Sequence, residues 1–256
     1  MKAYALITGA SSGIGFQYAR VMALRGYNLI IVSNEPAINS SADALRTEFP
    51  SVDIVPLLAD LGTPDSALAL YNLCHDYEVE VLVNNAGVYH DRDFLDDSEA
   101  FNKLIFNLHV NTPAMLCYYF GRDMVARGKG YILNMGSITD RIAVQRQGTY
   151  GSTKAFLSAF SRSLHIELRQ KGVRVTCVRP GAVDTGLYSI SQSATKTGLI
   201  LGYIVKPDYL ARHAVSAMFR GVASVTIPCF WNKLLLFLIA LIPTSLLRLV
   251  RRWHIF

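Results

Sequence analysis

The chain has 256 residues, of which 51% are hydrophobic and 17% charged, with a formal net charge of +6. That balance excludes a disordered chain, which needs low hydrophobicity and high net charge, and the length is enough to bury a core without disulfides or metal. No run of five basic residues occurs, the densest cluster being Arg248, Arg251 and Arg252, so nucleic acid is not an expected partner.

From the N-terminus, a short apolar run up to Thr8 enters a Gly-rich turn instead of a signal-peptide cleavage site, which points to a cytoplasmic protein. Apolar runs of strand length then recur at Ala3–Ile7, Leu29–Val32, Asp53–Leu57, Val79–Val83, Tyr131–Met135, Val173–Val178 and Val225–Ile227. Between them, Ile14–Arg25, Asn39–Glu48, Pro64–His75, Phe101–Arg127 and Tyr150–Gln170 carry helical patterning, with Asn107 to Asn111 a point of division in the fourth. Such alternation predicts an α/β, doubly wound Rossmann fold with a parallel seven-stranded sheet flanked by helices. One domain over 1–230 is expected, followed by a hydrophobic helical extension over 231–256. Cys74, Cys117, Cys177 and Cys229 lie far apart with no CxxC pair, which reads as reduced thiols and no metal site.

Thr8-Gly9-Ala10-Ser11-Ser12-Gly13-Ile14-Gly15 follows the first strand and opens a helix. Glycines there allow a tight turn and let backbone N–H groups approach a pyrophosphate at the helix N-terminus. At the end of the second strand, Ser33 stands where an acidic residue would bind a ribose 2′-hydroxyl. Its absence favours NADP over NAD, with Ser33 and Asn34 as hydrogen-bonding groups; Glu35 argues the other way. Tyr150-Gly-Ser-Thr-Lys154 places a phenol and an ammonium one helical turn apart. A phenol near pKa ~10 needs a neighbouring cation to work in proton transfer at neutral pH. This spacing arises readily by chance, and its weight comes from Ser137, at the end of an apolar strand where ligands of parallel sheets bind.

In order and spacing, Thr8–Gly15, Asp60, Asn84-Asn85-Ala86-Gly87, Asn111, Ser137, Tyr150, Lys154 and Pro180-Gly181-Ala182-Val183-Asp184-Thr185 resemble the compact branch of the short-chain dehydrogenase/reductase family, across residues 1 to about 220. The resemblance implies that Tyr150 exchanges a proton with the substrate oxygen and that Lys154 lowers the tyrosine pKa and holds the nicotinamide ribose. Ser137 would hydrogen-bond the reacting carbonyl, and Asn111 would bind a water leading to a proton relay. Asp60 and Leu61 would meet the adenine end, Asn85, Ala86 and Gly87 the adenosine side, and Pro180, Gly181, Val183 and Thr185 the nicotinamide. Read alone, several of these have structural explanations: a plain turn at 84–87, a helix cap at Asn111 or Asp60, a chain break at Pro180. His109 reads as a helix-packing residue, and neither it nor His165 is given a role.

Residues 186–206 resemble the family's substrate lid, and Tyr188, Leu199, Ile200, Leu201 and Tyr203 suggest an apolar small-molecule substrate. The tail from Trp231 has an uninterrupted apolar core of only nine residues before Pro243, too short for the roughly 20 that a spanning helix needs. Packing on the body or on a partner subunit suits it first, a peripheral membrane contact second and a true span last. The expected activity is an NAD(P)-dependent interconversion of carbonyl and alcohol by a homo-oligomer. A nucleotide-sugar epimerase or dehydratase, and a cofactor-sensing protein without turnover, are the alternatives.

Overall fold

The computed structural model describes residues 3–141, 146–185, 192–228, 230 and 234. Seven parallel strands form one sheet in the order β3-β2-β1-β4-β5-β6-β9: β1 (Tyr4–Thr8), β2 (Asn28–Ser33), β3 (Ile54–Leu58), β4 (Val79–Asn84), β5 (Gly130–Met135), β6 (Val173–Pro180) and β9 (Ser224–Ile227). Because successive side chains alternate between faces, Ala5, Ile7, Leu29, Ile31, Val81 and Val83 serve one core, while Leu6, Ile30, Val32 and Leu82 serve the other. The first core is covered by α1 (Gly13–Leu24), α2 (Ile38–Glu48) and α8 (Pro207–Phe219). The second is covered by α3 (Ser66–Leu73), α5 (Thr112–Arg127) and α6 (Gly148–Arg169). Burying each of the Val, Leu and Ile side chains among these stabilises the fold by about 1.5–3 kcal/mol.

The expected long fourth helix divides where its sequence suggested. α4 (Glu99–Phe106) starts at Ser98, whose hydroxyl accepts the Phe101 N–H at 3.1 Å. A π-helical turn over Asn107–Asn111 follows, then α5, which ends at Gly128 with φ 69°. Such turns interrupt a helix most often at functional positions.

Two short strands and two helices were not anticipated. The strand pair β7 (Ala182–Val183) and β8 (Ile204–Val205) is too short to register as a periodic pattern. Helix α7 (Gln192–Leu201) lies between them, within the expected lid. Helix α8 buries Leu210, Ala211, Ala214, Val215, Ala217 and Met218, half of them alanines with little hydropathic contrast; its one strong signal was Pro207 at the first helical position. Residues 186–191 of the expected lid lie outside the described residues, as does the expected 231–256 extension apart from Leu234. No helix among the described residues is long and apolar enough to cross a membrane.

Candidate active site

The sheet order reverses between β1 and β4, the place where parallel α/β sheets open a crevice at the carboxyl ends of their strands. The glycine turn sits there and is held mainly by backbone. Thr8 Oγ1 accepts the N–H groups of Asn85 and Ala86, each at 3.0 Å. The Asn85 carboxamide donates to the carbonyls of Thr8 and Gly9 at 3.0 and 3.1 Å. Its side chain is thus committed to shaping the turn. Gly9 and Gly13 adopt φ 66° and 55°, a region unfavourable for other residues. A Cβ on Gly9 would lie 2.8 Å from Ala86 Cα, and one on Gly15 would overlap the Gly9 carbonyl oxygen. At the start of α1, Ser12 gives no side-chain cap and the first turn carries no acidic residue. Uncapped amides at a helix start, beside a turn with no room for a Cβ, fit the pyrophosphate of a nicotinamide dinucleotide.

At the adenosine end, Ser33 is buried and its hydroxyl donates to Ser11 Oγ at 3.1 Å. Ser11 in turn donates to the Glu35 carboxylate at 2.8 Å, while Asn34 is exposed. Ile14 packs half-buried against the first core. Asp60 is exposed and accepts the Gly62 N–H at 2.9 Å, so its carboxylate shapes its own turn. Leu61 is buried, and its carbonyl accepts hydroxyl protons from Ser66 and Thr112, which ties this loop to α3 and α5.

Across the crevice, Tyr150 and Lys154 lie on the first turns of α6 and both are buried. The Lys154 ammonium donates to the Met135 carbonyl at 2.9 Å, at the end of β5, and stands 5.6 Å from the centre of the Tyr150 ring. Burial pushes its pKa down to about 8 from 10.5, with Cys177 opposing the shift. Ser137 follows β5 by two residues. Its oxygen accepts the N–H and hydroxyl of Thr139, at 3.2 and 2.9 Å, which leaves its own hydrogen free to point elsewhere. The same loop meets α6 closely: a Cβ on Gly151 would lie 3.3 Å from the Thr139 carbonyl oxygen. Tyr89 packs edge-on against Tyr150, with ring centres 5.2 Å apart. Asn111 closes the π turn, exposed, and makes no side-chain cap to α5. Beyond β6, Gly181 is pinned to the Ile227 carbonyl at 2.9 Å, Pro180 and Val183 are buried, and Thr185 approaches Gly13 from the opposite wall.

Several groups that shape this half were not singled out from the sequence. Arg179 and Asp140 form a buried bidentate ion pair at 2.7 and 2.6 Å, joining the Ser137 loop to the chain just before Pro180. They are 39 residues apart, so no local pattern announces them. Asn84 donates to Asn134 at 2.8 Å, and Asn134 donates to Ser161 on α6 at 2.9 Å. His109 is buried against Val88 and Thr153. Cys74, Cys117 and Cys177 are buried free thiols, and no group of three metal-ligating side chains occurs among the described residues.

Comparison with known proteins gives this architecture relatives. Residues 3–195 match the short chain dehydrogenase family. A very-long-chain 3-oxoacyl-CoA reductase-like protein of Arabidopsis thaliana is 29% identical over 95% of this chain and 78% of its own. The 3-oxoacyl-[acyl-carrier-protein] reductase FabG of Chlamydia trachomatis is 28% identical over 87% of this chain and 92% of its own. Among solved structures, a short-chain dehydrogenase from Sphingobium yanoikuyae in complex with NADPH superposes with a TM-score of 0.79 at 29% identity, covering 91% of this chain and 92% of that one.

Proposed function

The chain belongs to the short-chain dehydrogenase/reductase family and is an NAD(P)-dependent oxidoreductase; from that premise we propose that it reduces the 3-oxo group of an acyl thioester with a hydrophobic acyl chain, using NADP ahead of NAD. The observation that carries the chemistry is the buried Lys154 ammonium, anchored to Met135 beside Tyr150, with the Ser137 hydroxyl held by Thr139 on the adjoining loop. When bound, the dinucleotide supplies the hydride. Everything else falls to the chain. Thr8–Gly15 holds the pyrophosphate, Ser33 and Asn34 the adenosine ribose, Asp60 and Leu61 the adenine, Asn85 to Gly87 the adenosine side, and Pro180, Gly181, Val183 and Thr185 the nicotinamide. Ser137 donates a hydrogen bond to the substrate carbonyl, which polarises it and fixes its position. Tyr150 passes its hydroxyl proton to that oxygen, and the Lys154 charge offsets the phenolate left behind. Asn111, on the π turn, holds the water through which the proton is replaced.

The 3-oxoacyl thioester is supported by the names of both relatives, and a greasy acyl chain by exposed Phe94, Leu95, Ile200, Leu201 and Tyr203 on the segments that follow β4 and β7. NADP is supported by the absence of an acid at Ser33 and by the NADPH-bound neighbour. We further assign the protein to the cytoplasm as a homo-oligomer, with the 231–256 tail packed on the body or in contact with a membrane surface. Vesicle co-sedimentation before and after truncation at Trp231 separates those two placements.

A panel of 3-oxoacyl-CoA substrates of increasing chain length, run against a bulky ketone with NADPH and NADH, tests the reading. The expected result is NADPH oxidation with kcat/KM rising by up to about fourfold per buried methylene. Binding of neither cofactor, or no oxidation with any thioester, would overturn it.

A further inference from the structure

His109 sits on the π turn with 1% of its surface exposed, where three segments converge. Its Nε2 accepts the backbone N–H of Val88 at 3.0 Å. An amide nitrogen can only donate, so Nε2 carries the lone pair and the proton of the neutral ring sits on Nδ1. Nδ1 lies 3.2 Å from Thr153 Oγ1 on α6. The Thr153 hydroxyl spends its own hydrogen on the Tyr150 carbonyl at 2.8 Å, so it accepts from His109. Polarity therefore runs one way, from the Val88 N–H through His109 and Thr153 to the backbone of Tyr150.

Two further features depend on this ring. It packs edge-on against the Tyr150 side chain, with ring centres 5.7 Å apart. A Cβ on Gly87 would lie 2.9 Å from Nε2, so the close approach of loop to ring requires glycine there. Burial first, and the Lys154 charge second, hold the imidazole pKa well below 6.5. Tyr150 and Lys154 are the titratable groups facing it from α6, and neither 85–88 nor 107–111 contains an acidic residue. A protonated ring would set Nε2–H against the Val88 N–H, donor to donor.

We propose that His109, as the neutral Nδ1–H tautomer, is a positioning residue that locks the Ala86–Val88 loop to the backbone of Tyr150, so that the wall of the dinucleotide crevice and the proton donor keep one fixed relation. The kinetic part of this assignment rests on the proposed reductase activity; the tautomer does not.

The test therefore has two arms. Long-range proton–nitrogen NMR on the unaltered protein with labelled histidine should show the His109 ring, assigned as the resonance lost in His109→Gln or His109→Leu, as Nδ1–H and still neutral at pH 6.5. His165 and His213 also point Nδ1 at carbonyls, so that assignment is needed. An Nε2–H tautomer for that assigned ring, or its protonation at pH 6.5, would overturn the proposal, whether or not a substrate is known. In the second arm, acetoacetyl-CoA and NADPH are turned over by His109→Leu and His109→Gln. The leucine variant should lose kcat by on the order of 10²-fold with KM little changed, as a misplaced catalytic group does. Glutamine can accept from Val88 and donate to Thr153, and should recover kcat to within about tenfold of the parent. A merely structural role would lower the melting temperature of both without this split, so equal kcat in the two variants would overturn the proposal.

Discussion

The two walls of the crevice are built by different means. The wall around β1 is made of backbone and of space where side chains are missing: Gly9, Gly13 and Gly15 shape it, and Thr8 and Asn85 stitch it to the loop after β4. The wall around β5 and β6 is made of buried polar side chains, namely Lys154, the Asn84–Asn134–Ser161 chain, and the Arg179–Asp140 pair. The first kind of wall fails when atoms are added. The second carries a standing desolvation cost, because charges and amides are held out of water. The paired groups offset it with each other, while Lys154, with no carboxylate partner among the described residues, leaves it uncompensated and should gain stability when its charge is removed.

That contrast can be broken most forcefully at Lys154. A fall in its pKa from 10.5 to about 8 corresponds to roughly 3 kcal/mol of burial cost. Lys154→Met should therefore stabilise the cofactor-free protein to denaturant by up to about that amount while abolishing turnover. A destabilised Met variant would contradict the burial account. Next in size, Gly15→Ala should cost about 1–3 kcal/mol of overpacking, read as lowered stability to denaturant, and by displacing the Gly9 backbone it should also weaken NADPH binding in a fluorescence titration. Unchanged affinity would dissolve the steric half of the comparison.

The pH dependence follows from the same lysine. Between about pH 8 and 10.5 the unfolded chain keeps the Lys154 proton and the folded protein has lost it. The unfolded state then binds more protons, so stability rises with pH across this window relative to Lys154→Met; below it, the burial cost is present in full. Activity moves the opposite way. kcat/KM for the cofactor, which reports the free enzyme, should fall as pH rises through about 8. The smallest effect belongs to Glu35, whose exposed carboxylate accepts from Ser11. Glu35→Gln removes a negative charge next to Ser11 and Ser33, where the adenosine ribose and, in NADP, its 2′-phosphate are proposed to bind, and should favour NADPH over NADH by a further few-fold, on the order of 0.5–1 kcal/mol. No change in that ratio would place the phosphate elsewhere.

The first wall was legible in the sequence because its residues are contiguous. A glycine turn between a strand and a helix states its purpose within eight positions, and the seven strands were bounded to within two residues, the largest miss being the end of β6 at Pro180 instead of Val178. The second wall was legible only where the chain repeats itself locally, as in Tyr150 and Lys154 on one helical face. Arg179 is embedded in an apolar strand, and nothing near it hints at Asp140. His109 looked like packing because its partners, Val88 and Thr153, come from other elements. Asp60 and Asn85 add what spacing could not show: beside the cofactor roles proposed for them, their side chains shape the turns that carry them. Helix α8 was overlooked because alanine buries well yet announces little.

The proposed chemistry stands on Tyr150 as proton donor and Lys154 as its electrostatic support. Its most direct test is Tyr150→Phe, measured for turnover of a 3-oxoacyl-CoA and for NADPH binding on the same preparation. kcat should fall by about 10²–10⁴-fold while the NADPH dissociation constant stays nearly unchanged, because the ring still packs against Tyr89 and His109. Full turnover in the phenylalanine variant would contradict it.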